Sequence, residues 1–293
     1  METSTQTATK TDTVQSASTR TAPQAAPQAM PQTAPQAAKR IAFITGASSG
    51  IGKEFAIQID RMQVVDELWL CARNADALEA LAAKLDTPVR VVCADLTDRD
   101  DIEAIREKLV SLNPQVTYLV NAAGFGKFGD WQSISSNDVD AMIDLNCKAL
   151  VDVTQMCLPF MGRGGHIIEV ASAAAFAPLP HLNVYAASKA FVLHYSRGLR
   201  FELRGRGIAL TALCPTWVKT NFEQVARQSG GAGDVGHLLG EQSVESVVRA
   251  ALFGNKMHAA VVCASPQSFL LRLVGKVVPN CITMAGWDIL RHI

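Results

Sequence analysis

From Arg40 onward the chain alternates short apolar runs with longer stretches of helical periodicity. Residues 41–45 form an apolar run ending at glycine, the mark of a strand buried on both faces. By the same signal strands are expected at 67–72, 89–93, 117–120, 166–170, 208–213 and 259–262. Helices are expected at 52–62, 74–85, 98–112, 136–161, 184–204 and 244–253. Seven apolar strands separated by helices predict a doubly wound α/β fold, a parallel sheet covered on both faces. Ligands bind such sheets beyond the carboxyl ends of the strands.

Two segments fall outside this pattern. Residues 1–38 are almost wholly Thr, Gln, Ala, Pro and Ser, with a loose Ala-Pro-Gln-Ala repeat between Ala22 and Ala38. Such a segment buries too little surface to offset its ordering entropy, so disorder is expected, and it lacks the apolar core of a signal peptide. Residues 266–293 are apolar with interspersed lysine and arginine. A cover over a substrate mouth or an oligomer contact is expected there, with a membrane-surface role least favoured. The body, residues 39–265, is expected to be a single catalytic domain.

Composition narrows the function classes. Of the 293 residues 48% are hydrophobic, and 27 basic side chains balance 27 acidic ones, so nothing points to a nucleic-acid partner. Seven cysteines form no Cys-x-x-Cys pair, and the six histidines show no ligand spacing. No metal site and no disulfide frame are expected, and a reducing, cytoplasmic setting is.

Two constellations carry chemistry. Gly46, Ser48, Ser49, Gly50, Ile51 and Gly52 join the first strand to the first helix. Glycines there permit a tight turn and a close backbone approach to a pyrophosphate, while the helix terminus offers unpaired N–H groups. At the end of the second strand, Arg73 stands where an acid would hold the free ribose of NAD(H). NADP(H) is therefore favoured over NAD(H). Downstream, Tyr185 and Lys189 lie one helical turn apart on one face. Reduction of a ketone needs a proton for the developing alkoxide, and a phenol can give it. The reverse direction needs a phenolate. The Lys189 ammonium is expected to lower the phenol from ~10 by ~2–3 units, roughly 3–4 kcal/mol.

These motifs resemble the short-chain dehydrogenase/reductase family over roughly residues 40–265. Thr45 to Gly52 is similar to its cofactor turn, Asp95-Leu96 to its adenine-contacting pair, and Asn121-Ala122-Ala123-Gly124 to its Asn-Ala-Gly motif. Asn146 falls at the family's helix asparagine, and Ser172 lies thirteen residues before Tyr185, the usual separation. Pro215, Val218 and Thr220 lie in a stretch similar to the one that closes on the nicotinamide amide, with Thr216 in place of the usual glycine. The resemblance implies a Rossmann fold and a catalytic set of Asn146, Ser172, Tyr185 and Lys189. Lys189 would also grip the nicotinamide ribose, and Asn146 would support a water relay. It further implies a homodimer or homotetramer through the two long helices.

Phe125, Phe128, Phe176, Leu179 and Trp217 are expected to line a pocket for an apolar carbonyl or alcohol, with His181 beside them. Residues 222–241 contain a glycine-rich stretch suited to a lid. A hydroxysteroid or bile-acid ketone is the favoured substrate. The alternatives are a 3-oxoacyl-thioester reductase and a non-catalytic NADPH sensor.

Overall fold

The structure is a computed structural model and describes residues 38–220, 222, 226 and 241–290. The expected disorder of 1–38 and nearly all of the expected lid at 222–241 lie outside these residues.

Seven parallel strands form one sheet: β1 (Arg40–Thr45), β2 (Glu67–Ala72), β3 (Val89–Cys93), β4 (Gln115–Asn121), β5 (His166–Val170), β6 (Ala209–Cys214) and β7 (Val261–Cys263). Their order is β3-β2-β1-β4-β5-β6-β7. The chain leaves β1 in one direction for β2 and β3, then returns to the other side of β1 with β4, so β1 and β4 flank a topological switch point. Side chains alternate across the sheet and feed two cores. Ile41, Phe43 and Trp69 face α3 (Arg99–Leu112), α5 (Leu150–Cys157) and the end of α6 (Asn183–Glu202). Ala42, Ile44 and Leu68 face α1 (Gly50–Met62), α2 (Ala75–Ala82) and α7 (Val244–Lys256).

Local chemistry sets the helix starts. The Asn74 carboxamide accepts the Ala77 N–H, and the Asp98 carboxylate accepts those of Asp100 and Asp101. Helix α2 stops at Ala82, short of the expected Leu85. The single helix expected over 136–161 is broken into α4 (Ser136–Ile143), a π-helical turn (Asp144–Ala149), α5 and a 3₁₀ turn (Leu158–Phe160). The π turn carries Asn146, whose carboxamide bonds the chain after β4, and π turns recur at functional sites.

Beyond β7 come α8 (Pro266–Val277) and α9 (Asn280–Leu290). Ser265 caps α8 by accepting the Ser268 N–H, and the Ser268 hydroxyl donates to the carbonyl of Cys214 at the end of β6. Gly275 packs against the backbone of Phe176. The Trp287 indole N–H donates to the carbonyl of Pro180 at 2.9 Å. Both helices thus pack on the segment between Ser172 and Tyr185.

Candidate active site

A cavity of about 1280 Å³ opens at the carboxyl ends of the strands. It runs from the glycine turn to Tyr185 and on to the inner faces of α8 and α9.

At one end, the turn after β1 is locked to the turn after β4. The Thr45 hydroxyl accepts the N–H groups of Ala122 and Ala123, both at 3.1 Å. Gly46 has φ +66°, and a Cβ there would stand 2.8 Å from the Ala122 carbonyl carbon and oxygen. A Cβ on Gly52 would overlap the Gly46 carbonyl oxygen. Both neighbours are backbone and cannot swing away. Among the described residues no side chain caps α1, and its amino end lines the cavity. A backbone cradle open at an uncapped helix terminus fits a dinucleotide pyrophosphate. Ser48, Ser49, Gly50 and Ile51 line the same end. So do Arg73, Asp95 and Leu96. Arg73 pairs with Asp95 at 3.6 Å, yet its side chain is 77% exposed and open to a further anion.

In the middle lie Ser172, Tyr185 and Lys189. Ser172 ends β5 and caps the 3₁₀ turn Ala173–Phe176, where its hydroxyl accepts the Ala174 N–H at 3.1 Å. The Tyr185 phenol shares the wall with it, and Ser172 favours the ionised form of that phenol. The Lys189 ammonium donates to the Val170 carbonyl at 2.8 Å and sits 5.9 Å from the Tyr185 ring centre. The expected lowering of the phenol is not found. Burial pushes Tyr185 up to about 12, and the Ser172 hydroxyl only partly offsets this. Burial likewise pushes Lys189 down to about 8, against the pull of Cys147, Cys214 and Glu169. Desolvation of two dry groups outweighs their attraction because the ammonium is turned to a backbone carbonyl. In this arrangement the phenol holds its proton at neutrality and is poised as an acid.

Three expected site residues stand off the cavity wall. Asn146 is fully buried: its Oδ1 accepts the Phe125 N–H at 3.0 Å, and its Nδ2 donates to the Phe125 carbonyl at 2.8 Å and to Ser188 Oγ at 3.0 Å. It fixes the loop after β4 to α6 rather than facing a substrate. Asn121 is buried too, its amide donating to Thr154 Oγ1 at 2.8 Å and Glu169 Oε1 at 3.2 Å, whereas Ala122 and Gly124 reach the cavity. His181 takes a left-handed backbone with φ 63°, its carbonyl accepts the Gly129 N–H, and its side chain is not on the wall.

The far half is apolar. Phe125, Phe128, Phe176, Leu179 and Trp217 all line it, and Phe128 meets Trp217 edge to face at 5.8 Å. Leu271, Val274, Ile282 and Trp287 of the terminal helices close it, an identity the apolar tail foreshadowed only in general. Pro215, Val218 and Thr220 lie between the halves. Thr216 turns its hydroxyl to Gln242 Oε1 at 3.1 Å, and the Gln242 amide donates to the Ala264 carbonyl at 2.9 Å. That side chain ties the loop after β6 to the start of α8. Two wall or support residues went unread in the sequence. Lys127 has no motif around it, and the buried Glu169 looks like any strand residue until its neighbours are known.

A parallel sheet with this switch point, a phosphate cradle and a Ser–Tyr–Lys cluster at one cavity define an oxidoreductase that uses a nicotinamide nucleotide. The chain belongs to the short chain dehydrogenase family, whose model matches residues 40–230. A very-long-chain 3-oxoacyl-CoA reductase of Anas platyrhynchos is 31% identical over 240 residues, covering 78% of this chain and 73% of that protein. Among solved structures, a short-chain dehydrogenase from Sphingobium yanoikuyae in complex with NADPH superposes with a TM-score of 0.69 at 28% identity, over 87% of this chain and 96% of that one. A bulky-bulky ketone specific alcohol dehydrogenase from Comamonas testosteroni gives 0.64 at 25% identity, over 86% and 94%. Among the described residues no helix is long and apolar enough to cross a membrane, and no cluster could hold a metal ion.

Proposed function

We propose that this chain is an NADP(H)-preferring reductase of bulky apolar ketones, with Tyr185 as the general acid. The observation that carries the reading is the position of Ser172, Tyr185 and Lys189 between a backbone phosphate cradle and a large apolar chamber. When bound, the nicotinamide supplies the hydride. The chain does the rest. Backbone N–H groups at Gly46–Gly52 and the α1 terminus hold the pyrophosphate, and Arg73 takes the 2′-phosphate. Asp95 and Leu96 hold the adenine end, and Pro215, Val218 and Thr220 the other. Ser172 donates a hydrogen bond to the carbonyl oxygen, and Tyr185 gives that oxygen its proton as the alcohol forms. Lys189 keeps a positive charge beside the phenol and holds the ribose. Asn146 and Asn121 act through the loop they fix.

A phenol held at about 12 suits the reducing direction, since oxidation must first remove that proton. Chamber size and apolar walls favour hydroxysteroid or bile-acid ketones, in keeping with the bulky-ketone enzyme among the similar structures. Similarity to the 3-oxoacyl-CoA reductase favours a second reading, reduction of a 3-oxoacyl thioester. Exposed Ile143 and Phe191 on α4 and α6 support assembly as a homodimer or homotetramer.

The test is oxidation of NADPH, and separately NADH, with steroid ketones, bile-acid ketones and 3-oxoacyl thioesters. Turnover confined to the cyclic ketones with NADPH is the expected result. Turnover confined to thioesters selects the second reading, and turnover of none removes both.

A further inference from the structure

The loop after β4 reads Phe125-Gly126-Lys127-Phe128, one cation between aromatic residues. Its backbone is pinned on both sides. Asn146 bonds the N–H and the carbonyl of Phe125, and Phe128 is buried against Leu182. Gly126 lies on the Tyr185 ring, where a Cβ would stand 2.8 Å from Cδ2. Lys127 therefore stands one residue from contact with the phenol. Its side chain is only 13% exposed and lines the same cavity, alongside Ala141 of α4.

The ammonium has poor company there. The carboxylate paired with it, Asp138 Oδ1, is 3.9 Å away, beyond hydrogen-bond reach, and the other oxygen of that carboxylate already accepts the Ser135 hydroxyl at 2.9 Å. Among the described residues no acceptor bonds Lys127. A cation on an apolar wall with little water around it binds an anionic ligand more strongly than a fully exposed one would. The other described charged groups of the wall belong to the cofactor end, are hydrogen-bonded or are exposed. Arg73 and Asp95 pair at the strand ends of β2 and β3, Lys189 donates to Val170, and Glu241 is exposed. Among the described residues the chamber thus offers apolar walls and, at Lys127, a cation with no hydrogen-bond acceptor.

We propose that Lys127 anchors an anion in the substrate half, and that the preferred substrate is a bulky apolar ketone bearing a carboxylate. This rests on the reductase reading above and names the substrate class for it. The probes are a 3-oxo bile acid and its methyl ester, which differ only in that charge. For the wild type the acid should show a KM at least about 10-fold below that of the ester. Lys127→Met should erase this ratio, and Lys127→Arg should keep most of it. Binding of the two probes without NADPH is followed in parallel by quenching of Trp217 and Trp287 on the wall. Equal affinity for acid and ester in the wild type, no binding of the acid, or a ratio that Lys127→Met does not move, overturns the anchor. Preferential, Lys127-dependent binding without turnover upholds the anchor and counts against the reductase reading alone.

Discussion

Replacing Glu169 by Gln isolates a buried proton. Glu169 sits on β5 and is 0% exposed. Its Oε1 lies 3.0 Å from Thr154 Oγ1 and 3.2 Å from the Asn121 amide. The Thr154 hydroxyl has a single hydrogen, and the Leu150 carbonyl at 2.7 Å is the closer acceptor. A hydrogen on the carboxyl then explains the remaining oxygen–oxygen contact. Among the described residues Oε2 and the Asn121 Oδ1 have no hydrogen-bond partner, so a negative charge there would be met only at Oε1, by the Asn121 amide. Burial pushes the carboxyl from 4.5 to about 7, with Asn121, Thr154 and Lys189 opposing the rise. At about 1.4 kcal/mol per unit, holding the ionised form costs the fold roughly 3 kcal/mol.

The sign follows from proton counting. Between the unfolded value of 4.5 and the folded value of about 7, the folded chain keeps a proton that the unfolded chain has lost. Stability therefore falls as pH rises through this window and is level above it. Burial pushes His166 the opposite way, so its contribution rises with pH, but it is common to both proteins and cancels in the difference. Thermal unfolding of wild type and Glu169→Gln should coincide near about pH 4, below both values, and the variant should be more stable near about pH 8 by up to roughly 3 kcal/mol, about 6–12 °C for a fold of this size. Parallel curves across that range, or a variant less stable at every pH, would refute the reasoning.

Other perturbations bear on the cofactor end. Gly52→Ala drives a methyl into the Gly46 carbonyl, and NADPH affinity measured by fluorescence titration should fall on the order of 10–100-fold without loss of the folded circular-dichroism signal. Arg73→Ala should raise KM for NADPH about 10-fold and leave that for NADH nearly unchanged, because the exposed guanidinium meets only the extra phosphate.

Much of this was legible in the chain. Strands β2, β3 and β5 match their expected ranges residue for residue, because apolar residues dominate each run and the few polar residues fall within rather than between them. The cavity likewise collects the glycine turn, Ser172, Tyr185 and Lys189, since family spacing and strand ends specify them. The π turn around Asn146 was not legible: its apolar pattern runs on unbroken, and the register change depends on a carboxamide bonding a loop twenty-one residues away in sequence. The charge states of Tyr185 and Glu169 were illegible for a similar reason. Motif spacing says which groups meet but not how dry the meeting place is, and dryness sets both values. Lys127 escaped notice because nothing in a loop sequence reveals that its side chain lines the cavity and is only 13% exposed.

The central claim, that Tyr185 is the proton donor of a carbonyl reduction, is met most directly by Tyr185→Phe on the best ketone of the panel. NADPH oxidation and NADPH binding are measured on the same preparation. The account predicts a loss of kcat on the order of 10²–10⁴-fold with binding of NADPH little changed, since only the phenolic hydrogen is removed. A variant that keeps turnover within a few-fold of wild type would contradict it, and the proton would have to come from another group.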